Sequence, residues 1–273
     1  MKLSSLENIE KIKYNHIKTF VKEFMSVNSL KYQEKEYLDI VDTLNYDKRK
    51  NVNALGNMMK KHIESYKKEV SRVQELYDFD KSYGVNIVAG VDEVGRGPLA
   101  GPIVSAAVVL DLNSVDPILY INDSKKINSE LREKLSEIIK EKAISFSISL
   151  LSNEEIDKRG IGYCNNEVFR MAISDLKVKP ELVLTDGYPI KNFSLRNEFV
   201  IKGDTKSASI ACASILAKVY RDKVMKELAT IYPDYGFENN VGYGSKEHIS
   251  AIINHGVTDI HRKSFLTNIL EKG

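Results

Sequence analysis

Apolar residues return at helical spacing through the first part of the chain. Ile17, Phe20, Val21, Phe24 and Met25 make one stripe, and Leu55, Met58, Met59, Ile63 and Tyr66 make another, with lysines between them. Glu64, Lys67, Lys68, Glu69 and Arg72 form a solvated side with charges at pairing distance along a helix. Asn45 and Asp47 are candidate caps for the second stripe, with Asn51 and Asn53 as competitors, and no glycine or proline precedes Gly56. The pattern predicts a small all-helical module over 1–83, ending in a connector at Asp78–Asn86.

The pattern changes at Val85. Ile87–Asp92 and Ile103–Leu110 are dense in Val, Ile and Ala, as buried strands are. In Ala143–Leu151, Ile144, Phe146, Ile148 and Leu150 alternate with serines, which predicts a third strand. Glu181–Asp186 and Glu198–Lys202 add two short ones. Helical stretches fall at Ser129–Lys142, Tyr163–Leu176, Lys206–Thr230, Lys246–His255 and Asp259–Leu270. Strands close together, then alternating with helices, predict an α/β domain over 84–273: a mixed sheet flanked by helices, with a C-terminal helical extension.

Composition adds constraints. A chain of 273 residues with 42% hydrophobic content can bury a proper core. The net charge of +2 does not by itself argue for nucleic-acid binding, so local distribution has to. Cys164 and Cys212 lack CxxC spacing and a nearby histidine, which disfavours zinc and disulfides and fits a reducing cytoplasm. MKLSSLENIEKIK lacks the apolar centre of a secretory signal, and no apolar run approaches the ~18 residues of a membrane span. The expectation is a cytoplasmic monomer without a membrane.

The most informative stretch is VAGVDEVGRGPLAGP, Val88–Pro102. A strand ends in Asp92 and Glu93, and a tight Gly95-Arg96-Gly97 turn follows. Adjacent carboxylates there repel each other and are costly to bury without a cation. Mg²⁺ or Mn²⁺ would compensate them while leaving sites for a phosphate. Gly95, Gly97 and Ala100 also match a dinucleotide fingerprint, but a strand follows where a helix is needed, and carboxylates stand where a pyrophosphate would come. Asp186 ends another strand, and Asp222 shares a helix face with Ser214 and Lys218. Taken alone, Asp186 reads as a turn residue and Asp222 as a surface charge beside Arg221 and Lys223.

The stretch GVDEVGRGPLAGPIVSAAVVL resembles the opening motif of the ribonuclease HII family. DSKK from Asp123, LTDG from Leu184, IKGD from Ile201, ASILAKVYRD from Ala213, YGF from Tyr235, GYG from Gly242 and HRKSF from His261 follow in that family's order. The resemblance covers about Asn86 to Leu266, and the N-terminal segment is similar to the helical extension of some bacterial members. It implies a ribonuclease H-like fold and four metal-binding carboxylates, Asp92, Glu93, Asp186 and Asp222, holding two divalent ions. It implies hydrolysis of RNA in RNA–DNA hybrids and cutting 5′ of single ribonucleotides in duplex DNA, leaving 3′-hydroxyl and 5′-phosphate ends, work that belongs to DNA replication and ribonucleotide excision repair. Gly95, Arg96, Gly97 and Tyr243 would read the 2′-hydroxyl and clamp a phosphate. Lys125, Lys202 and Lys218 would hold phosphates, with Arg262 and Lys263 as lesser candidates. Ser207 and Ser209 are placed to cap the long helix and to donate to a phosphate. The helical module is expected to bind substrate as an auxiliary, although packing support is the plainer reading. Gly244-Ser245 departs from a common threonine, and no clamp-docking extension is expected after the last helix.

The nearest rival is the related ribonuclease HIII, restricted to longer hybrids. Its opening motif has GKG, and its extension is strand-rich. A non-catalytic hybrid-binding protein is a further class, against which the intact carboxylates stand.

Overall fold

The computed structural model describes residues 8–27 and 30–270. The tail at 271–273 and most of the segment read for a secretory signal lie outside them. The chain divides into two compact units, Met1–Arg72 and Val73–Gly273.

The first unit holds α1 (Tyr14–Val27), α2 (Leu30–Tyr46) and the first part of α3 (Lys50–Lys81). Its core is the stripe of Ile17, Phe20, Val21 and Phe24 closed against Ile40 and Leu44 of α2 and Val52, Met59 and Ile63 of α3. Phe24 and Tyr37 meet edge to face with centroids 4.9 Å apart. Met58, expected in this stripe, is largely exposed, because the α3 face toward the core is narrower than the apolar run. Asp47 sets the corner before α3: its Oδ1 accepts from Arg49 N at 2.8 Å, and its carbonyl accepts from Asn53 Nδ2 at 2.6 Å.

The boundary lies between Arg72 and Val73, not at Tyr83. Val73, Leu76 and Tyr77 continue the apolar periodicity of α3 but belong to the core of the second unit. A helical repeat does not announce which core each turn serves.

The second unit is built on a five-stranded mixed sheet of order β3-β2-β1-β4-β5. The strands are β1 (Val88–Val94), β2 (Ile103–Val109), β3 (Ser145–Leu151), β4 (Leu182–Asp186) and β5 (Asn197–Val200). β1–β2 and β2–β3 pair antiparallel, whereas β1–β4 and β4–β5 pair parallel. The central strands are apolar on both faces because helices cover both. α4 (Ser129–Lys142) and α7 (Ala208–Ile231) lie on one face, and α6 (Ile161–Ser174) lies on the other. α5 (Asn153–Arg159), α8 (Phe237–Asn240), α9 (Lys246–His255) and α10 (Lys263–Leu270) complete the unit. α9 and α10 close over Met225, Tyr235 and Phe237.

α7 reaches the sheet closely because its buried face is Ala208, Ala211, Cys212, Ala213 and Ala217. Gly90 of β1 completes the approach: a Cβ there would stand 2.1 Å from the Ser209 carbonyl carbon. Ser207 Oγ caps α7, accepting from Ile210 N at 3.1 Å, and Asp80 Oδ2 accepts from Ser209 N at 2.9 Å. Both serines are fully buried, so neither meets a phosphate, contrary to expectation.

The edge strand β3 keeps the alternation read in the sequence, and its two faces meet different partners. Ser145, Ser147 and Ser149 are the buried positions, while Ile144 and Leu150 are exposed. The serines find polar partners along α6: Ser147 donates to the Ala172 carbonyl, Ser149 donates to Asp175 Oδ2 at 3.2 Å, and Ser145 accepts from Lys177 N at 2.9 Å.

The Gly90–Ser209 approach predicts opposite effects of two similar substitutions. Gly90→Ala should lower stability by about 1–3 kcal/mol through overpacking. Gly162→Ala, in α6 with nothing within 4 Å of its added methyl, should raise it by roughly 0.5–1 kcal/mol. Thermal and urea melts of both variants check this; equal shifts in the same direction would refute the tight α7–β1 contact.

Candidate active site

Register puts the first acids together. In the parallel pair, Val91 lies beside Thr185, so Asp92 and Asp186 follow at the same level of neighbouring strands. The side chains alternate: Val88 and Leu182 belong to the α7 face, Ala89 and Val183 to the α6 face. Asp92 and Asp186 therefore stand on the α7 side, and Glu93 turns the other way around the strand end.

β5 ends opposite Asp186, and the chain turns back through Lys202, which adopts a left-handed φ of 56°. That turn aims Gly203 N at Asp186 Oδ1, at 2.7 Å, and delivers Asp204 beside it. One cleft of about 160 Å³ is lined by Asp92, Glu93, Asp186 and Asp204 together with Gly95, Arg96, Gly97, Ser124, Lys125, Ser214 and Tyr243.

The electrostatics of this cleft are those of crowded anions. Burial pushes the Asp92 carboxyl well above its ordinary value, and the charges of Glu93 and Asp186 push it further, while the Ser214 hydroxyl opposes them. Glu93 is raised by burial, against the hydrogen bond from Tyr188 and the charge of Arg96. Burial raises Asp186, opposed by Gly203 N–H. Asp204 is pushed up to about 6 by burial, then by Asp186 and Asp123. Among the described residues no three acids stand in a ready-made ligating arrangement. The donor set is nevertheless all oxygen and only partly offset by Arg96 and Lys125, which suits a hard divalent cation such as Mg²⁺ or Mn²⁺.

Asp222 is not in this cleft. It pairs with Lys218 Nζ at 2.6 Å and Arg132 Nη2 at 3.5 Å and lines a separate hollow with Glu133 and Lys226. The reason is helical rise. Ser214 touches Asp92, and Asp222 lies eight residues further along α7, about 12 Å at 1.5 Å per residue. Asp222 instead holds Arg132, which donates to the Ser124 and Ile127 carbonyls at 2.6 and 3.0 Å and so shapes the loop carrying Lys125. Lys218 is spent on the same pair. Lys202 is exposed and does not line the cleft. Asp204, absent from the expected ligands, ends the IKGD motif, whose acid carries no expected role.

The turn at Gly95–Gly97 is held from behind by two arginines without solvent exposure. Arg262 donates to the carbonyls of Gly101, Arg96 and Gly95 at 2.9, 3.0 and 2.6 Å. Arg221 donates to those of Pro102, Val241 and Ala100 at 3.0, 2.8 and 3.2 Å. Arg262 is thus a buried clamp and not a phosphate contact, and burial beside Arg221 lowers its guanidinium to about 9. Gly95 has φ 94°, and a Cβ would fall 2.3 Å from Arg221 Nε. Gly97 faces Tyr243 across the cleft, its absent Cβ 3.8 Å from the ring.

Tyr243 is supported by His248 and by His261 of the HRKSF motif, neither of which carries an expected role. Thr258 N donates to His261 Nδ1 at 2.9 Å, leaving the proton of neutral His261 on Nε2. That nitrogen lies 3.1 Å from His248 Nε2, which then accepts, and His248 Nδ1 donates to the Tyr243 carbonyl at 2.8 Å. Burial lowers both imidazoles, His261 to about 4, keeping this neutral relay intact. On the other wall, Tyr188 donates to Glu93 Oε1 at 2.8 Å, and Arg96 lies 4.8 Å above its ring and bonds its hydroxyl.

A family model described as Ribonuclease HII matches residues 89–268. Ribonuclease HII of Clostridium perfringens strain 13 is 58% identical over 266 residues, 97% of each chain. That of Clostridium botulinum strain Hall is 54% identical over 269 residues, 97% of this chain and 100% of the other. The crystal structure of ribonuclease H2 from Pyrococcus horikoshii OT3 superposes with a TM-score of 0.59 at 27% identity, covering 68% of this chain and 98% of that one.

Charge crowding predicts a pH signature. Asp204 titrates near 6 when folded against 3.8 ordinarily, so the folded state holds an extra proton between those values. Its stabilising contribution is complete below the lower value and is lost as pH rises through the higher one. The melting temperature of the metal-free chain should fall between about pH 4 and pH 6 and level off toward pH 7, and Asp80, also raised to about 6, adds to the fall. A divalent ion should stabilise the chain increasingly toward pH 7, leaving only the share of Asp80. Melts in EDTA and in Mn²⁺ with the same pH slope would rule out the cleft as the ion site.

Proposed function

This chain belongs to the ribonuclease HII family and is an endoribonuclease hydrolysing the RNA strand of RNA–DNA hybrids; from that premise we propose that it also cuts 5′ of single ribonucleotides embedded in duplex DNA, with Asp92, Glu93, Asp186 and Asp204 as its metal-binding carboxylates. The observation that carries the reading is their convergence in one cleft with Gly95–Gly97 and Tyr243. A pair of Mg²⁺ or Mn²⁺ ions, when bound, supplies activation of water and neutralisation of charge at the scissile phosphate.

The chain's own residues do the rest. Gly203 N–H fixes one oxygen of Asp186, and Ser214 supports Asp92, so these carboxylates are oriented before any ion arrives. The Gly95–Gly97 backbone, whose carbonyls are tied down by Arg262, offers its rigid edge to a ribose, and no Cβ at Gly97 separates it from Tyr243. A ribonucleotide between that edge and the tyrosine ring would present its 2′-hydroxyl to the backbone, the group that separates RNA from DNA. Arg96 and Lys125, which line the cleft, would meet phosphates without reading sequence. The products would carry 3′-hydroxyl and 5′-phosphate ends.

The helical module belongs to the same reading as an auxiliary binder. Up to Arg72 the chain carries fifteen Lys and Arg against ten Asp and Glu, although the whole chain is nearly balanced.

Two experiments test these assignments. On a duplex with one ribonucleotide, Asp204→Asn should lose cleavage on the order of 100-fold or more. Asp222→Asn should stay within about fivefold, the scale of a partly exposed ion pair. The reverse order would return the fourth ligand to α7. Deleting 1–72 should weaken hybrid binding and flatten its salt dependence, and an unchanged slope would remove the auxiliary role.

A further inference from the structure

Beside the carboxylate cleft lies a second, larger hollow of about 630 Å³. It is formed by α6 between Gly162 and Arg170, the Tyr188–Asn192 segment that follows β4, and Arg96. Arg96 lines both cavities and is the wall between them. The two cavities differ in charge. The cleft gathers carboxylates, whereas the hollow is lined by Arg96, Arg170 and Lys191 and by no acidic residue.

The hollow is also built. Arg170 donates to the carbonyls of Lys191 and Asn192, and Asn166 Oδ1 accepts from Lys191 N at 3.0 Å, so the segment bearing Lys191 is tied to α6 from two side chains. Arg170 is partly balanced by Glu167 at 3.2 Å and Arg96 by Glu93 at 3.8 Å, while the exposed Lys191 belongs to no ion pair among the described residues. The Tyr163 ring is half-exposed at the rim, where Arg159 lies 5.1 Å from its centroid and donates to its hydroxyl at 2.9 Å. At the floor, the Asn165 amide is buried with neither its oxygen nor its nitrogen hydrogen-bonded within the protein. Such a group carries a cost that a purely structural asparagine would not.

We propose that this hollow is a subsite for the sugar-phosphate backbone of the nucleic acid, next to the nucleotide being cut. Arg96 and Lys191 would meet successive phosphates, and Tyr163 would offer a surface for a sugar or base. The inference rests on the nuclease reading above. It explains why a cleft too anionic to attract a polyanion unaided adjoins a cationic surface that can hold one.

The test is binding of hybrid duplexes by fluorescence anisotropy across a salt series, with Ca²⁺ in place of the catalytic ion. Lys191→Glu should weaken a long duplex by about tenfold, Lys191→Ala by less, and each should lower the salt slope, by about one for the loss of one contact. Tyr163→Ala should weaken it by about fivefold. Trimming the duplex from one end should abolish these differences, whereas trimming from the other should not. Unchanged affinity and slope in both Lys191 variants, or losses that persist on duplexes trimmed at either end, would overturn the subsite. Wild-type cleavage of the same hybrid in Mg²⁺ is read alongside. If it fails, the nuclease reading falls; if it succeeds while the variants bind normally, only the subsite falls.

Discussion

Like charges brought close in a partly dry cleft repel one another, and the second unit accepts that cost at the ends of two adjacent parallel strands. Asp92 and Asp186 share a level of the sheet, Glu93 follows on the opposite face, and Asp204 is turned in from β5. Every one of these carboxyls is held above its ordinary value by burial first and, for Asp92 and Asp204 most clearly, by neighbouring acids next. A fold gains nothing from such an arrangement unless a cation completes it.

Much of the surrounding structure keeps this cluster and its substrate edge in place. Arg221 and Arg262 give six donors to carbonyls of the loops at 95–102 and 241 and have no exposed surface left for a ligand. They stand where a loop of that length would otherwise bury unpaired carbonyls. Removing either would leave several such groups unsatisfied. The histidine relay beneath Tyr243 acts likewise from the C-terminal helices, through backbone and not through the ring. The substrate side of the cleft is therefore rigid, while its metal side is electrostatically unfinished.

The strands and most helices could be read from apolar spacing because burial on one or two faces leaves a periodic trace. α5 left almost none, since Ile156 is its one buried residue. β3 was legible as a strand from its alternation but not in its burial: its serines carry hydrogen bonds to α6, while Phe146 and Ile148 pack partly buried against the main core. For the site, only the adjacent pair Asp92 and Glu93 stands out by itself at a strand end; Asp186 alone reads as a turn residue, and the motif order singles it out. Asp222 reads as a ligand only through the motif resemblance; the four-residue steps that align it with Lys218 and Ser214 make it an ion-pair partner, and helical rise carries it two turns away. Asp204 was harder to see, because its position depends on the left-handed turn at Lys202, a backbone choice that residue identity does not reveal. Arg262 shows the same limit: a basic residue in a motif resembles a phosphate contact until its burial is known.

The account turns on which oxygens grip the ion, and anomalous diffraction from a crystal soaked in Mn²⁺ at pH 7 addresses that directly. Density between Asp92, Glu93, Asp186 and Asp204, with the Asp222–Lys218 pair undisturbed, is the expected result. Manganese bound to Asp222, or no ordered manganese near Asp186, would contradict it.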